Sequence, residues 1–425
     1  MSDILDELHW RGLVAQTTDE TALRSALADG PITAYCGFDP TAPSLHFGNL
    51  VQLVLMRHLQ RAGHRVICLV GGSTGLIGDP RPSAERVLKT KEQTAEWVGN
   101  IRRQVEPFLD TEGANPAIFV NNLDWTEPLS ALDFLRDVGK HFRVNQMVKK
   151  EAVAARLNSD EGISYTEFSY QLLQGLDYLQ LYRDHGCTLQ TGGNDQWGNL
   201  TAGSDLIHRV EGASVHLLTT PLLTDTSGEK FGKSAGNAIW LAAEMTSPYA
   251  FYQYWLNVED ASVLTLLKVF TDRGTEEVAD LERQVETEPF RRSAQRVLAS
   301  DVTTLVHGAA ATSAVQAASE ALFGKGDLSA LDARTLEDAT AELPGGLVAV
   351  GMPVVEALVA VGLVDSRNAA RRAIGDGGAS VNGTKVSDVD RVIEAADLLH
   401  DRVVVLRRGR KALAAGRLAA RPSAT

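Results

Sequence analysis

Up to about residue 220 the chain alternates between two hydrophobic patterns. Short apolar runs rich in β-branched or aromatic residues, bounded by Gly, Asn or Pro, predict strands at 32–38 (ITAYCGF), 65–72 (RVICLVGG), 117–122 (AIFVNN), 187–193 (CTLQTGG) and 215–220 (VHLLTT). Between them apolar positions recur with helical period, most clearly over 48–62, 84–109 and 165–184. Strand–helix alternation of this kind predicts an α/β fold, a mostly parallel sheet with helices on both faces. Ligands then gather at the carboxyl ends of the strands, where the glycine-rich loops of this chain fall.

From about 247 the strand pattern stops. SPYAFYQYWLN, SVLTLLKVF and RRSAQRVLASDVTTLVHG predict a separate all-helical unit reaching to 325. The stretch 326–350 reads as a linker with some helical content, and the last 75 residues mix two helical pieces with short strands around GGASVNG and RVVVLRRG. A chain of 425 residues exceeds one compact core, consistent with this division. No stretch is long and apolar enough to span a bilayer, and MSDILDELHWRG lacks the basic start of a secretory signal. Cys36, Cys68 and Cys187 lie far apart without a CxxC pair, which predicts a cytoplasmic protein with no disulfide framework and no zinc ribbon. The net charge of −13 is unevenly spread: Gly351 onward holds 12 Lys and Arg against 8 Asp and Glu, leaving 29 against 46 in the rest. An acidic body with a basic tail suggests that one module meets a polyanion, although a solvated mixed-charge surface has the same balance.

Four constellations carry chemistry. In the first, a strand ends at Phe38 and a helix begins near Gly48, a natural anion site through free N–H groups and the helix dipole. His46 and Asn49, three apart on that first turn, can both donate to a phosphate, and Gly48 lets a flat ring approach the backbone. Taken alone, the same residues serve equally as a plain helix start with a capping histidine. The second is Gly228-Glu229-Lys230-Phe231-Gly232-Lys233-Ser234, two lysines three apart between glycines, suited either to a leaving pyrophosphate or to a solvated turn. Its spacing is not that of a Walker loop. In the third, Tyr170, Gln174 and Asp177 fall at i, i+4 and i+7 on one helix face, which is either a polar face toward solvent or a site for an amine and a hydroxyl. The fourth is a basic helical face carrying Arg367, Arg371 and Arg372, extended by Lys385, Arg407, Arg408 and Lys411.

Read together, in this order and about 180 residues apart, HFGN and KFGKS resemble the HIGH and KMSKS signatures of class I aminoacyl-tRNA synthetases. The helix YTEFSYQLLQGLDYLQLY is similar to the amino-acid-binding helix of the tyrosyl family. The resemblance implies a Rossmann-like catalytic domain over 1–222, a KFGKS loop and linker over 223–247, a helical anticodon-side domain over 248–325, a linker over 326–350, and an α-L RNA-binding module over 351–425. It implies that Tyr35 and Asp177 hold the substrate phenol, and that Asp79, Tyr170 and Gln174 hold its ammonium group. Gln190 and Gln196 then orient the amino acid. Cys36, Gly37, Asp39, Thr41, Gly48, Gly193, Asp195 and Ser234 surround ATP, with His46, Asn49, Lys230 and Lys233 on the phosphates. Arg367, Arg371, Arg372, Lys385, Arg407 and Arg408 would meet tRNA. The segment Arg81-Pro82-Ser83-Ala84 departs from the family pattern, being one residue shorter and without lysine.

The reaction so implied joins tyrosine to tRNA(Tyr) at the cost of ATP, with Mg2+ carried by the nucleotide and no protein-bound metal. A homodimer through 134–150 follows from the same resemblance. Three other readings stand beside it: the tryptophan enzyme, a non-catalytic RNA-binding protein derived from a synthetase, and a small-molecule nucleotidyltransferase. An indole N–H needs only one acceptor, whereas Tyr35 with Asp177 suits a hydroxyl that donates and accepts.

Overall fold

The computed structural model describes residues 3–81, 86–224, 233–234, 237–324 and 326–419. They form two compact units, Met1–Met245 with Glu259–Ala294, and Thr246–Val258 with Gln295–Thr425.

The first unit is built on a six-stranded sheet: β1 (Gln16–Thr17), β2 (Thr33–Phe38), β3 (Arg65–Val70), β4 (Ile118–Asn121), β5 (Cys187–Gly193) and β6 (His216–Thr220), in the order β1-β6-β5-β2-β3-β4. All neighbours are parallel except the short edge strand β1, which runs against β6. Every residue of β2 except Gly37 is buried, as expected of a central parallel strand covered on both faces. From β2 the chain moves outward through β3 and β4, then returns to β5 on the other side of β2. The order therefore reverses between β2 and β5, and a crevice opens beyond their carboxyl ends.

Two helices frame that crevice. The helix Phe47–Arg61 follows β2 and is buried along most of its length. The helix Tyr165–His185 starts at Ser164, whose hydroxyl accepts from the Glu167 N–H, and stops at Gly186 in the left-handed region (φ 60°). Helix Trp197–Glu211 lies along it, and Gly203 permits the approach: a Cβ there would stand 3.2 Å from the Tyr178 ring. Within the periodic stretch 84–109, Lys91–Val105 is α-helix, and Thr90 caps it by accepting from the Gln93 N–H. Helices Asp260–Phe270 and Thr275–Thr287 belong to this unit. Arg11 ties them in, donating to the carbonyls of Lys268 (3.0 Å) and Thr271 (2.8 Å). A two-stranded ribbon, β7 (Lys233–Ser234) and β8 (Asn237–Ala238), precedes them.

The second unit holds helix Pro248–Leu256, the long helix Ser293–Phe323 from Gln295 onward, broken at Gly308 (φ 86°, ψ 163°), and a five-stranded sheet. Its strands are β9 (Gly345–Val348), β10 (Ala379–Val381), β11 (Thr384–Lys385), β12 (Val403–Arg408) and β13 (Ala412–Leu418), in the order β11-β10-β12-β13-β9. Strand β9 lies inside the stretch read as linker. Its two glycines obscured it, yet they are required: a Cβ at Gly346 would fall 2.2 Å from the Ala360 carbonyl oxygen. Val354, Leu358, Ile374, Val381, Val404 and Leu406 pack as this module's core.

Candidate active site

A cavity of about 830 Å³ occupies the crevice at the carboxyl ends of β2 and β5. It is lined by Tyr35, Cys36, Gly37, Asp39, Thr41, His46, Gly48, Asn49, Asp79, Tyr170, Gln174, Asp177, Gln190, Gly193, Asp195 and Gln196. Residues scattered over some 160 positions thus converge, because the switch point brings the ends of two strands and three helices together.

Asp177 is 2% exposed. Trp125 Nε1 donates to its Oδ1 at 2.9 Å, and Asn122 Nδ2 donates to its Oδ2 at 2.9 Å. Burial raises its pKa from the ordinary 3.8 to about 7, with the two donors opposing the rise. Asn122 is itself locked, since Ser73 N–H donates to its Oδ1 (2.8 Å). Tyr35, 1% exposed, stacks obliquely on Tyr178 with ring centroids 5.2 Å apart. Its hydroxyl is buried with no hydrogen-bond partner among the described residues, and burial followed by the Asp177 charge raises its pKa. Asn122 and Trp125 escaped the sequence reading. Their only signal is a polar pair, Asn121-Asn122, directly at the end of a half-buried edge strand.

Beyond Asp177 the lining turns acidic. Asp39 accepts from Thr74 Oγ1 (2.6 Å) and from the Tyr170 hydroxyl (2.8 Å). With its proton committed to Asp39, Tyr170 has lone pairs to offer a cation. Asp79 accepts from Asn199 Nδ2 (3.2 Å) and Gln196 Nε2 (3.3 Å). Burial raises the pKa of both carboxyls, and the charge of Asp79 adds to the rise at Asp39. The side-chain oxygens of Gln174 and Gln190 are also buried without a described partner.

At the mouth, His46 and Asn49 cap the helix Phe47–Arg61: Gly48 N–H donates to His46 Nδ1 (3.0 Å), and His46 N–H donates to Asn49 Oδ1 (3.1 Å). The capping reading of this segment is therefore correct, and it is compatible with an anion role. Nδ1 acting as acceptor places the neutral ring's proton on Nε2. The chain after β8 returns to this point, with Phe47 N–H donating to Ile239 O (2.8 Å) and Leu241 N–H to Leu45 O (2.9 Å). These bonds hold Ile239 and Leu241 beside His46; Lys230 and the side chains of Lys233 and Ser234 lie outside the described residues. Arg81 and Arg86 also line the cavity. Arg86 is held through its N–H to Glu167 (2.6 Å) and its Nε–H to Asp79 O (2.8 Å). Glu167 in turn forms a fully buried ion pair with Arg156 (3.0 Å).

In the second unit, Arg367, Arg371 and Arg372 are exposed on helix Arg367–Gly375, with Arg367 paired to Glu356 (2.8 Å). Lys385 is exposed on β11, and the register aligns it with Arg407 across Ser380. Arg407 donates to Leu322 O, and Arg408 donates to Leu363 O (3.0 Å). Those two guanidiniums brace the module, which their sequence spacing did not reveal.

The family model described as tRNA synthetases class I (W and Y) matches residues 27–324. A second, described as the Tyrosine--tRNA ligase SYY-like C-terminal domain, matches residues 336–414. A tyrosine–tRNA ligase of Streptomyces coelicolor is 62% identical over 98% of this chain and 99% of its own length. One of Leifsonia xyli is 63% identical over 97% of this chain and 93% of its own. Among solved structures, a C-terminally truncated mitochondrial tyrosyl-tRNA synthetase of Coccidioides posadasii superposes with a TM-score of 0.66 at 29% identity, covering 74% of this chain and 91% of that one. A tryptophanyl-tRNA synthetase of Encephalitozoon cuniculi shares the fold at 14% identity, with a TM-score of 0.55 over 73% of this chain and 87% of its own. On the family match and on relatives of this identity over nearly its whole length, the chain belongs to the class I tRNA synthetases of the tryptophan and tyrosine group.

Proposed function

We propose that this chain is a tyrosine–tRNA ligase, activating tyrosine with ATP and passing it to the 3′ end of tRNA(Tyr). One observation carries the choice of amino acid. At the deep end of the cavity the buried Tyr35 hydroxyl lacks a described partner, and the buried Asp177 carboxylate is held by two donors. A phenol hydroxyl donates to Asp177 and accepts from Tyr35, recovering the roughly 1–3 kcal/mol that an unsatisfied buried polar group costs. Phenylalanine supplies neither bond, and an indole N–H only donates. The ammonium group falls to Asp79, Tyr170 and Gln174, where buried carboxylates and hydroxyl lone pairs favour a cation.

The substrate carboxylate, with a pKa of roughly 3.5, is already ionised and attacks the α-phosphorus of ATP without a general base. The bond to the bridging oxygen breaks and pyrophosphate leaves with its electron pair. Catalysis is then positioning and charge stabilisation. His46 and Asn49 receive the phosphates on one side, while Lys230 and Lys233, with Ser234, close from the other. Cys36, Gly37, Asp39, Thr41, Gly193 and Asp195 surround the nucleoside. Mg2+ arrives with the nucleotide as part of the substrate. A terminal ribose hydroxyl of the tRNA next attacks the activated carbonyl, an ester forms and AMP departs. Arg371, Arg372 and Lys385 supply the exposed charge for tRNA, and the protein acts as a cytoplasmic homodimer.

The test is charging. With ATP, Mg2+ and a bacterial tRNA pool, labelled tyrosine should enter acid-precipitable RNA and be released by mild alkali, as an ester is. RNA that stays unlabelled refutes the reading.

A further inference from the structure

A directed chain of hydrogen bonds runs into Asp79 from a lysine that lines a different cavity. Lys150 precedes the helix Glu151–Leu157, and its stem lies against Gly198, where a Cβ would stand 3.4 Å from Lys150 Cε. The ammonium donates to Asn199 Oδ1. Asn199 Nδ2 donates to Gln196 Oε1 (2.7 Å) and to Asp79 Oδ1 (3.2 Å), and Gln196 Nε2 donates to Asp79 Oδ2 (3.3 Å). The Lys150 side chain borders the second cavity, of about 300 Å³, and is not part of the active-site lining.

The polarity of this chain follows from donor chemistry. An ammonium carries donors only, so the Asn199 amide must turn its oxygen toward Lys150. Its N–H2 is then committed to Gln196 and Asp79, and Gln196, accepting through its oxygen, must turn its own N–H2 to Asp79. Both carboxylate oxygens are thereby held by donors in one orientation. Without Lys150 the Asn199 amide can reverse and set an oxygen against the carboxylate. A buried cation is costly, and burial lowers the Lys150 pKa to about 8 with the Asp79 charge opposing. Among the described residues Lys150 has no carboxylate in salt-bridge contact; its charge and that of Asp79 favour each other at longer range, and the direct contact is the Asn199 amide between them.

We propose that Lys150 is a positioning residue for recognition of the substrate ammonium group, acting through Asn199 and Gln196 on Asp79. The proposal rests on the tyrosine reading above. It separates the ammonium from the phenol, which is read at the other end of the cavity by groups this chain does not touch.

The test uses the full chain carrying Lys150→Met, Lys150→Arg or Asn199→Leu. Tyrosine-dependent pyrophosphate exchange gives KM for tyrosine and for ATP. Competition by the deaminated analogue of tyrosine, which keeps the phenol and carboxylate, gives its inhibition constant. In Lys150→Met and Asn199→Leu, KM for tyrosine should rise about tenfold, the equivalent of about 1.4 kcal/mol, with KM for ATP and the analogue's constant changed less than about twofold. Lys150→Arg, which also offers donors only, should restore most of the loss. If Lys150→Met does not fold, Asn199→Leu carries the same expectation with the lysine in place. Equal weakening of tyrosine and analogue, or an unchanged KM for tyrosine, overturns the proposal. A wild-type chain without tyrosine-dependent exchange overturns the function itself, and that arm is read before any variant.

Discussion

Replacing Asp177 with asparagine removes a buried charge while keeping the shape, so stability and activity should move in opposite directions above neutral pH. The folded carboxyl titrates near 7 instead of the ordinary 3.8. A raised carboxyl pKa means the folded state holds the proton more tightly than the unfolded state. The cost of ionising it is therefore absent below about pH 4, grows between about 4 and 7, and is complete above. A rise of that size corresponds to about 4 kcal/mol. Asparagine escapes that cost but turns an N–H2 toward Asn122 Nδ2, which cannot reverse because its oxygen accepts from Ser73. That mismatch costs about 1–2 kcal/mol at every pH. The two stability curves should cross near about pH 5, with Asp177→Asn more stable by roughly 2–3 kcal/mol at about pH 8. At about 2 °C per kcal/mol for a unit of this size, calorimetry should show a Tm some 4–6 °C higher at that pH. In exchange assays the same variant loses a charge-assisted acceptor for the phenol, worth about 1.5–3 kcal/mol, so kcat/KM for tyrosine should fall roughly 10- to 150-fold. A Tm difference independent of pH, or tyrosine activation equal to wild type, would refute the reasoning.

Tyr35→Phe deletes a buried hydroxyl that has no described partner, so the ligand-free protein should gain about 1 kcal/mol while tyrosine affinity falls; a loss of stability in thermal melts would contradict this. Arg156→Met strands Glu167 in the interior, and the first unit should lose about 3–5 kcal/mol, visible as a lower Tm. Arg371→Ala with Arg372→Ala should leave tyrosine-dependent exchange intact, weaken charging, and reduce the salt dependence of tRNA binding by a slope of about 1 per lost phosphate contact. An unchanged salt slope would exclude those residues from the tRNA surface.

The sheet was legible because its strands are continuous apolar runs, and the helix carrying Tyr170, Gln174 and Asp177 because helical period alone places them on one face. What pattern could not show is the support behind that face. Asn122 and Trp125 bind Asp177 across 55 and 52 residues, and Lys150 reaches Asn199 across 49, contacts made by topology rather than by local spacing. Strand β9 was hidden by glycines whose necessity appears only against Ala360. The edge strand β1 is two residues long and carries no periodic signal. Arg407 looked like its basic neighbours, and only the folded module shows it spent on the Leu322 carbonyl.

The most direct test of the central claim is pyrophosphate exchange into ATP by the purified chain without tRNA, run separately with tyrosine, phenylalanine and tryptophan. The Tyr35–Asp177 site predicts exchange with tyrosine alone. Exchange driven by tryptophan would keep the class of reaction and overturn the substrate, and absence of exchange with all of them would contradict the account.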